Sequence, residues 1–192
     1  EGLQYLHENG VAHMDLKLSN LLLGCEYELK ISDFDSAYTN EDLMIIGRGT
    51  KNFRAPEVLL RDCSDPKAAD IYSCGVLLFT LATGKFPYSE NTQVGKYELY
   101  ELLISNKSAF WDAHLDLQSK NTFSSEFKEL FESLVRTEPA KRATIDEIKK
   151  NKWYQGPTYT KKEVVSIMSS FVKSTLIKEE DIPSSKKPYN TL

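Results

Sequence analysis

The stretch VAHMDLKLSNLLL, residues 11–23, places a histidine, an aspartate, a lysine and an asparagine within eight positions between apolar anchors. A loop pinned at both ends can aim alternate side chains into one pocket. The Asp15 carboxylate can accept a hydroxyl proton, and the Lys17 ammonium can neutralise a phosphate oxygen. The Asn20 carboxamide oxygen is a hard ligand suited to Mg²⁺. Eighteen residues after Asp15 comes Asp33, directly behind the apolar run 29–31. It is a second acid at a strand end, suited to a divalent cation. Together these groups can orient a hydroxyl against a metal-bound phosphoryl group, a chemistry driven mostly by positioning and charge neutralisation.

The rest of the chain supplies a fold around this stretch. Its 192 residues, 41% hydrophobic and 27% charged, suit one domain with a real core. The net charge of −4 argues against nucleic acid or an anionic membrane as the main partner. Cys25, Cys63 and Cys74 form no CxxC and are too scattered for a disulfide framework, which points to an intracellular, cytoplasmic setting. The longest apolar run, 71–82, is too short to span a bilayer and reads as a buried core helix. Residue 1 is Glu and lies inside an expected helix, so the chain reads as a fragment.

Residues 3–6 look like the last turns of a helix that stops at Asn9-Gly10. Residues 21–23 and 29–31 flank Gly24 as a small hairpin. Residues 33–54 read as a long loop, 56–60 as a short helix and 67–83 as a central helix stopped by Gly84. Stretches 96–104 and 125–135 are amphipathic, the second capped by Ser124 or Ser125. Thr144 to Glu147 fits a capping box opening a helix to 150. Residues 161–174 carry Val164, Val165, Met168, Phe171 and Val172 on one face. That face reads as a helix docked on the domain, with a regulatory partner's binding helix as the alternative. Residues 178–192 read as a disordered tail. The fold class is therefore mainly α, helical with a small β-hairpin.

Five motifs then stand in order. HMDLKLSN resembles the HRDLKxxN catalytic loop of eukaryotic protein kinases, and DFD stands where that family has DFG. GTKNFRAPE, residues 49–57, is similar to the end of its activation segment. The run from Asp70 to Gly75 resembles its DxWSxG helix, with Tyr72 at the tryptophan position. PAKRAT supplies Arg142 as the partner of Glu57 in the APE motif. The resemblance covers residues 1–155 as a C-terminal lobe, followed by an extension helix over 156–177. It leans to the serine/threonine class, and the FW and KW elements lean to the calcium/calmodulin-dependent group.

The resemblance implies ATP and Mg²⁺ as cofactors and a protein substrate that faces 96–111 and the loop 49–54. It makes Asp15 the catalytic base or hydroxyl orienter, Lys17 the contact to the transferred phosphate, and Thr50 the residue that helps hold both. Asn20 and Asp33 become metal ligands, and Leu22 lies under the adenine. His13 and Phe34 stack, Asp70 anchors the catalytic loop's backbone, and Glu57 pairs with Arg142. His7 reads only as a surface or helix-end histidine.

The departures matter as much. Met14 replaces an arginine that pairs with a phosphorylated activation-loop residue, so any activity is expected not to need that phosphorylation. Asp35 replaces the DFG glycine, a change that a left-handed aspartate would survive, and it brings a second carboxylate near Asp33 that would raise a pKa or adjust metal binding. No Gly-rich loop, strand lysine or helix glutamate appears, so the isolated chain is expected to show little activity. A noncatalytic, pseudokinase-like scaffold is the rival reading. A sugar-nucleotide transferase, from the lone DxD at 33–35, is a weaker one.

Overall fold

The computed structural model describes residues 1–39, 48–88, 98–114 and 123–180. Helix α1 (Gly2–Glu8) leads into the loop that holds Asp15, and strands β1 (Leu21–Leu23) and β2 (Leu29–Ile31) pair as the hairpin. Then follow α2 (Pro56–Leu59), α3 (Pro66–Thr83), α4 (Glu98–Ser105), α5 (Lys107–Ala113), α6 (Ser125–Leu134), α7 (Ile145–Lys150) and α8 (Lys161–Glu180). The expected mainly helical fold with a small hairpin is what forms.

Helix boundaries follow local chemistry. Asp65 accepts from the Ala68 amide at 2.9 Å and Pro66 occupies the first helical position, which together open α3. Ser124, rather than Ser125, caps α6, and Thr144 and Glu147 form the expected capping box on α7. One helix was not anticipated. Asn106 ends α4 and its side chain accepts from the Ala109 amide, so the FW element sits on its own helix, α5. Of the expected loop 33–54, residues 40–47 lie outside the described residues, as do 96–97 of the expected amphipathic stretch and 181–192 of the expected tail.

The core is built around α3, whose residues are apolar nearly all round. Phe79 is fully buried and meets the rings of Phe110, Trp111, His114, Phe123 and Phe131 at centroid distances of 4.8–6.1 Å. Helix α6 lies close against α3 because Gly75 has no side chain. A β-carbon there would stand 2.6 Å from Val135 Cγ1 and 2.8 Å from Leu134 Cβ.

By its contacts the chain divides into two units. The larger, residues 1–22 and 30–156, contains α1 to α7. The smaller joins the hairpin tip, residues 23–29, to the segment from 157 onward. Within it, Thr160 and Glu163 cap α8 reciprocally, Lys161 pairs with Glu26, and the Tyr27 hydroxyl lies 3.4 Å from Ser169 Oγ. Val164, Val165 and Met168 are half-buried, whereas Phe171 is 65% exposed.

Candidate active site

The loop after α1 is buried from Ala12 to Asp15, which is unusual for a segment with so many backbone polar groups. Those groups are satisfied from below by α3. The fully buried Asp70 accepts the His13 amide on Oδ2 and the Met14 amide on Oδ1, each at 2.7 Å. His7 Nε2 lies 2.9 Å from Oδ2. A carboxylate only accepts, so His7 carries its proton on Nε2. His7 does lie in the last turn of α1, as its sequence context suggests, but it is not a surface residue. Its side chain is 10% exposed and braces the residue that holds the loop. The signal available in the sequence was only its place in the last turn of α1, six residues before His13.

A second set of bonds ties the end of β2 to the same loop. The Ser32 amide and hydroxyl both donate to the Asn20 carbonyl, at 2.9 and 3.0 Å, and His13 Nε2 lies 3.0 Å from the Ser32 carbonyl. Asp33 follows Ser32, so the two candidate metal ligands are fastened through adjoining backbone. Phe34 meets His13 edge-on with centroids 5.1 Å apart. Beyond it, Ala12 and Tyr38 exchange backbone bonds of 2.9 and 2.8 Å.

Backbone strain falls two residues before the position where it was expected. Asp33 takes φ 64°, in the left-handed region, and Asp35 does not; Met14 also sits at φ 64°. The replacement of the DFG glycine by Asp35 is therefore tolerated for a simpler reason than left-handed geometry. The backbone at that position does not require it.

Asp15 gathers the remaining groups. Its Oδ1 accepts the Thr50 amide at 2.6 Å, and its Oδ2 accepts Lys17 Nζ at 2.7 Å and Asn20 Nδ2 at 3.2 Å. Lys17 also donates to Thr50 Oγ1 at 2.8 Å, so one ammonium joins the two. Burial alone would raise the Asp15 pKa, but hydrogen bonds from Lys17 and Thr50 outweigh it and hold the carboxyl below its ordinary value. Asp15 is thus an anion at neutral pH, screened by one cation.

Thr50 reaches Asp15 because Gly49 lets the chain pass at φ 81°. A β-carbon on Gly49 would lie 2.1 Å from the Met14 carbonyl oxygen. Arg54 Nε then donates to the Gly49 carbonyl at 2.8 Å and fixes the turn. Sequence reasoning did not anticipate this role for Arg54.

The donor set suits a small hard cation. Asn20 Nδ2 is committed to the Asp15 carbonyl at 2.9 Å and to its carboxylate, which leaves the amide oxygen to serve as a ligand. Asp33 is exposed. Among the described residues no cluster of three His, Cys, Asp or Glu could cage an ion unaided. An ion held by Asn20 and Asp33 would complete its shell with water and phosphate oxygens, as Mg²⁺ prefers. Leu22, the residue expected under the adenine, is 53% exposed.

Below the loop, Arg142 uses all five of its N–H donors. Nη1 and Nη2 reach the two Glu57 oxygens at 2.5 and 2.6 Å, and the rest go to the carbonyls of Ala68, Thr137 and Arg136 at 3.0, 3.2 and 2.7 Å. The guanidinium also lies over the Tyr72 ring, 5.0 Å from its centroid. This buried pair fastens α2, and with it the end of the loop that carries Thr50.

Residues 1–154 match the family model described as "protein kinase domain". The chain is 35% identical to CBL-interacting protein kinase 26 of Oryza sativa subsp. japonica over 159 residues, 80% of this chain and 30% of that protein. It is 38% identical to CBL-interacting serine/threonine-protein kinase 18 of Arabidopsis thaliana over 159 residues, 80% of this chain and 28% of that protein. It is 36% identical to CBL-interacting protein kinase 9 of Oryza sativa subsp. japonica over 174 residues, 86% of this chain and 36% of that protein. The chain spans 28–36% of the length of these three relatives.

Proposed function

The chain belongs to the protein kinase family, and from that premise we propose that it is the C-terminal lobe, residues 1–155, of a serine/threonine kinase that moves the γ-phosphoryl of ATP to a protein hydroxyl. The observation that carries this reading is the convergence of Lys17, Asn20 and the Thr50 amide on the Asp15 carboxylate.

A hydroxyl presented to Asp15 donates its hydrogen bond to Oδ2 and turns its lone pair toward the phosphorus. The depressed pKa makes Asp15 a poor base in advance of transfer and a good acceptor. Its role is therefore to orient the hydroxyl and take the proton as the new O–P bond forms and the bond to the leaving ADP oxygen breaks. Lys17 places a positive charge where the transferred oxygens pass, and Thr50 keeps that ammonium in register. Asn20 and Asp33 would hold Mg²⁺, which when bound neutralises phosphate charge. Leu22 offers an apolar face to the adenine.

Met14 is buried at 6% exposure. That supports activity independent of an activation-loop phosphate. The unpaired thiols of Cys25, Cys63 and Cys74 support a cytoplasmic setting. The names of the relatives record interaction with CBL proteins. The exposed face of α8 at Phe171 is where a regulatory protein of that kind would bind.

The test is transfer of labelled γ-phosphate to a generic serine/threonine substrate, by this chain alone and by the whole protein that carries it. The whole protein is expected to be active and the chain alone nearly inert. Asp15→Ala in the whole protein should lower the rate at least ~100-fold with folding intact. Undiminished transfer by that variant would refute the assignment.

A further inference from the structure

One side chain fastens the two ends of the stretch between Asp33 and Thr50 to each other. Arg48 Nη1 donates to the Ala37 carbonyl and, at 3.4 Å, to the Ser36 carbonyl. Its guanidinium lies over the Tyr38 ring, 5.6 Å from the centroid. Arg48 is half-buried, so water screens these contacts less than it would on an open surface. Each end is tied in turn to the site. At the first end, Tyr38 exchanges backbone bonds with Ala12, and the Ala37 amide donates to the carbonyl of Phe34, the neighbour of Asp33, at 2.9 Å. At the second end, Gly49 passes against the Met14 carbonyl, and Thr50 gives its amide to Asp15 at 2.6 Å.

The other way of fastening such ends is missing from the sequence. A phosphate on the loop needs a hydroxyl to carry it and a cation to meet it. Residues 40–49, NEDLMIIGRG, contain no Ser, Thr or Tyr. The Thr50 hydroxyl is already engaged, since it accepts from Lys17 at 2.8 Å. Beside Asp15, the buried Met14 carries no charge. Both members of a phosphate–arginine pair are therefore lacking, and a guanidinium that is always charged stands at the junction instead.

We propose that Arg48 is a positioning residue for phosphoryl transfer. It clamps residues 36–38 to residues 48–50 and so sets Thr50 on Asp15 with no phosphate on the loop. It acts through Thr50, and it touches neither the acceptor hydroxyl nor the nucleotide. This proposal rests on reading the Asp15 site as the phosphoryl-transfer centre, and it names what holds that site ready.

The clamp is read first without nucleotide, by amide hydrogen exchange on the full 192-residue chain. Arg48→Met keeps an apolar stem and removes every donor. It should speed exchange at Tyr38 and Thr50 about tenfold and leave the amides of α3 and α6 unchanged. Arg48→Lys, which keeps a charge and a donor but not the planar fork, should recover part of the protection. Tyr38→Leu, which removes the ring and leaves the backbone bonds, should loosen the same two amides by less. Transfer is then measured in the whole protein that carries the chain. Phosphatase treatment should leave the rate unchanged, whereas Arg48→Met should lower kcat about tenfold with the KM for ATP unmoved. Thr50 exchange unaltered by Arg48→Met, equal loosening of α3 and α6, or transfer undiminished by that variant overturns the proposal. So does a phosphatase-treated protein that loses most of its transfer and regains it on phosphorylation. A whole protein that transfers nothing, although Arg48→Met loosens Thr50 alone, would sink the enzymatic assignment and leave the clamp.

Discussion

The two halves of α3 carry the same helix geometry but support different things. From Ala68 to Ser73 the helix is a polar post. Asp70 holds the His13 and Met14 amides, the Ala68 carbonyl and the Tyr72 ring hold Arg142, and the Ser73 hydroxyl donates to the Phe53 carbonyl at 2.8 Å. From Val76 to Phe79 it is an apolar hub for α5 and α6. The first half makes few contacts that are strong, directional and essential to loop position. The second makes many that are weak, non-directional and essential to stability. Buried polar groups fail when one partner is removed, whereas buried apolar groups fail in proportion to the volume lost.

That contrast can be broken, beginning with its largest expected effect. Arg142→Met leaves Glu57 buried without a partner and should cost about 5 kcal/mol of unfolding free energy in urea titration, while the double variant with Glu57→Leu should recover part of the loss. If the double variant is worse than the single one, the polar half is not governed by unpaired charge. Phe79→Ala should cost about 4 kcal/mol by the same measurement while amide exchange at His13 and Met14 stays slow relative to the weakened whole. Equal loosening of those two amides would show that the halves are not separable.

Asp70→Asn should cost only about 2 kcal/mol, yet it should speed exchange of the His13 and Met14 amides well beyond that of α6. The smallest effect concerns pH. The Asp15 carboxyl sits below its ordinary value of 3.8, so the folded form holds that proton less tightly than the unfolded chain does. Its contribution is complete above the unfolded value and is lost as pH falls through the depressed folded value. An NMR titration should find the Thr50 amide still protected at the ordinary carboxylate midpoint. Loss of protection at or above 3.8 would contradict the bonding around Asp15.

Much of this was legible beforehand, for identifiable reasons. Caps at Ser124 and Thr144 depend on residues three positions away, and the α3 boundaries depend on a proline and a glycine. The helix at 107–113 escaped notice because its cap, Asn106, sits directly against the end of α4 with no loop between them. At the site, residue types and order pointed to Asp15, Lys17, Asn20 and Asp33 as a group, and the resemblance to protein kinases added Thr50. The roles of His7 and Arg54 were hidden, because a histidine in a last turn and an arginine in a loop look the same whether they face water or a buried acceptor.

The sequence by itself determined which helices form and which chemical groups are available, since those depend on neighbours within a turn of chain. Only the tertiary structure decided which atoms meet. His7 and Asp70 are 63 residues apart, Thr50 and Asp15 are 35 apart, and a cavity joins Tyr100 to Lys51. It also decided that the left-handed backbone belongs to Asp33 rather than Asp35. Such pairings are fixed by how buried surfaces fit and by the need to satisfy every buried polar group, and no local pattern of residues encodes either.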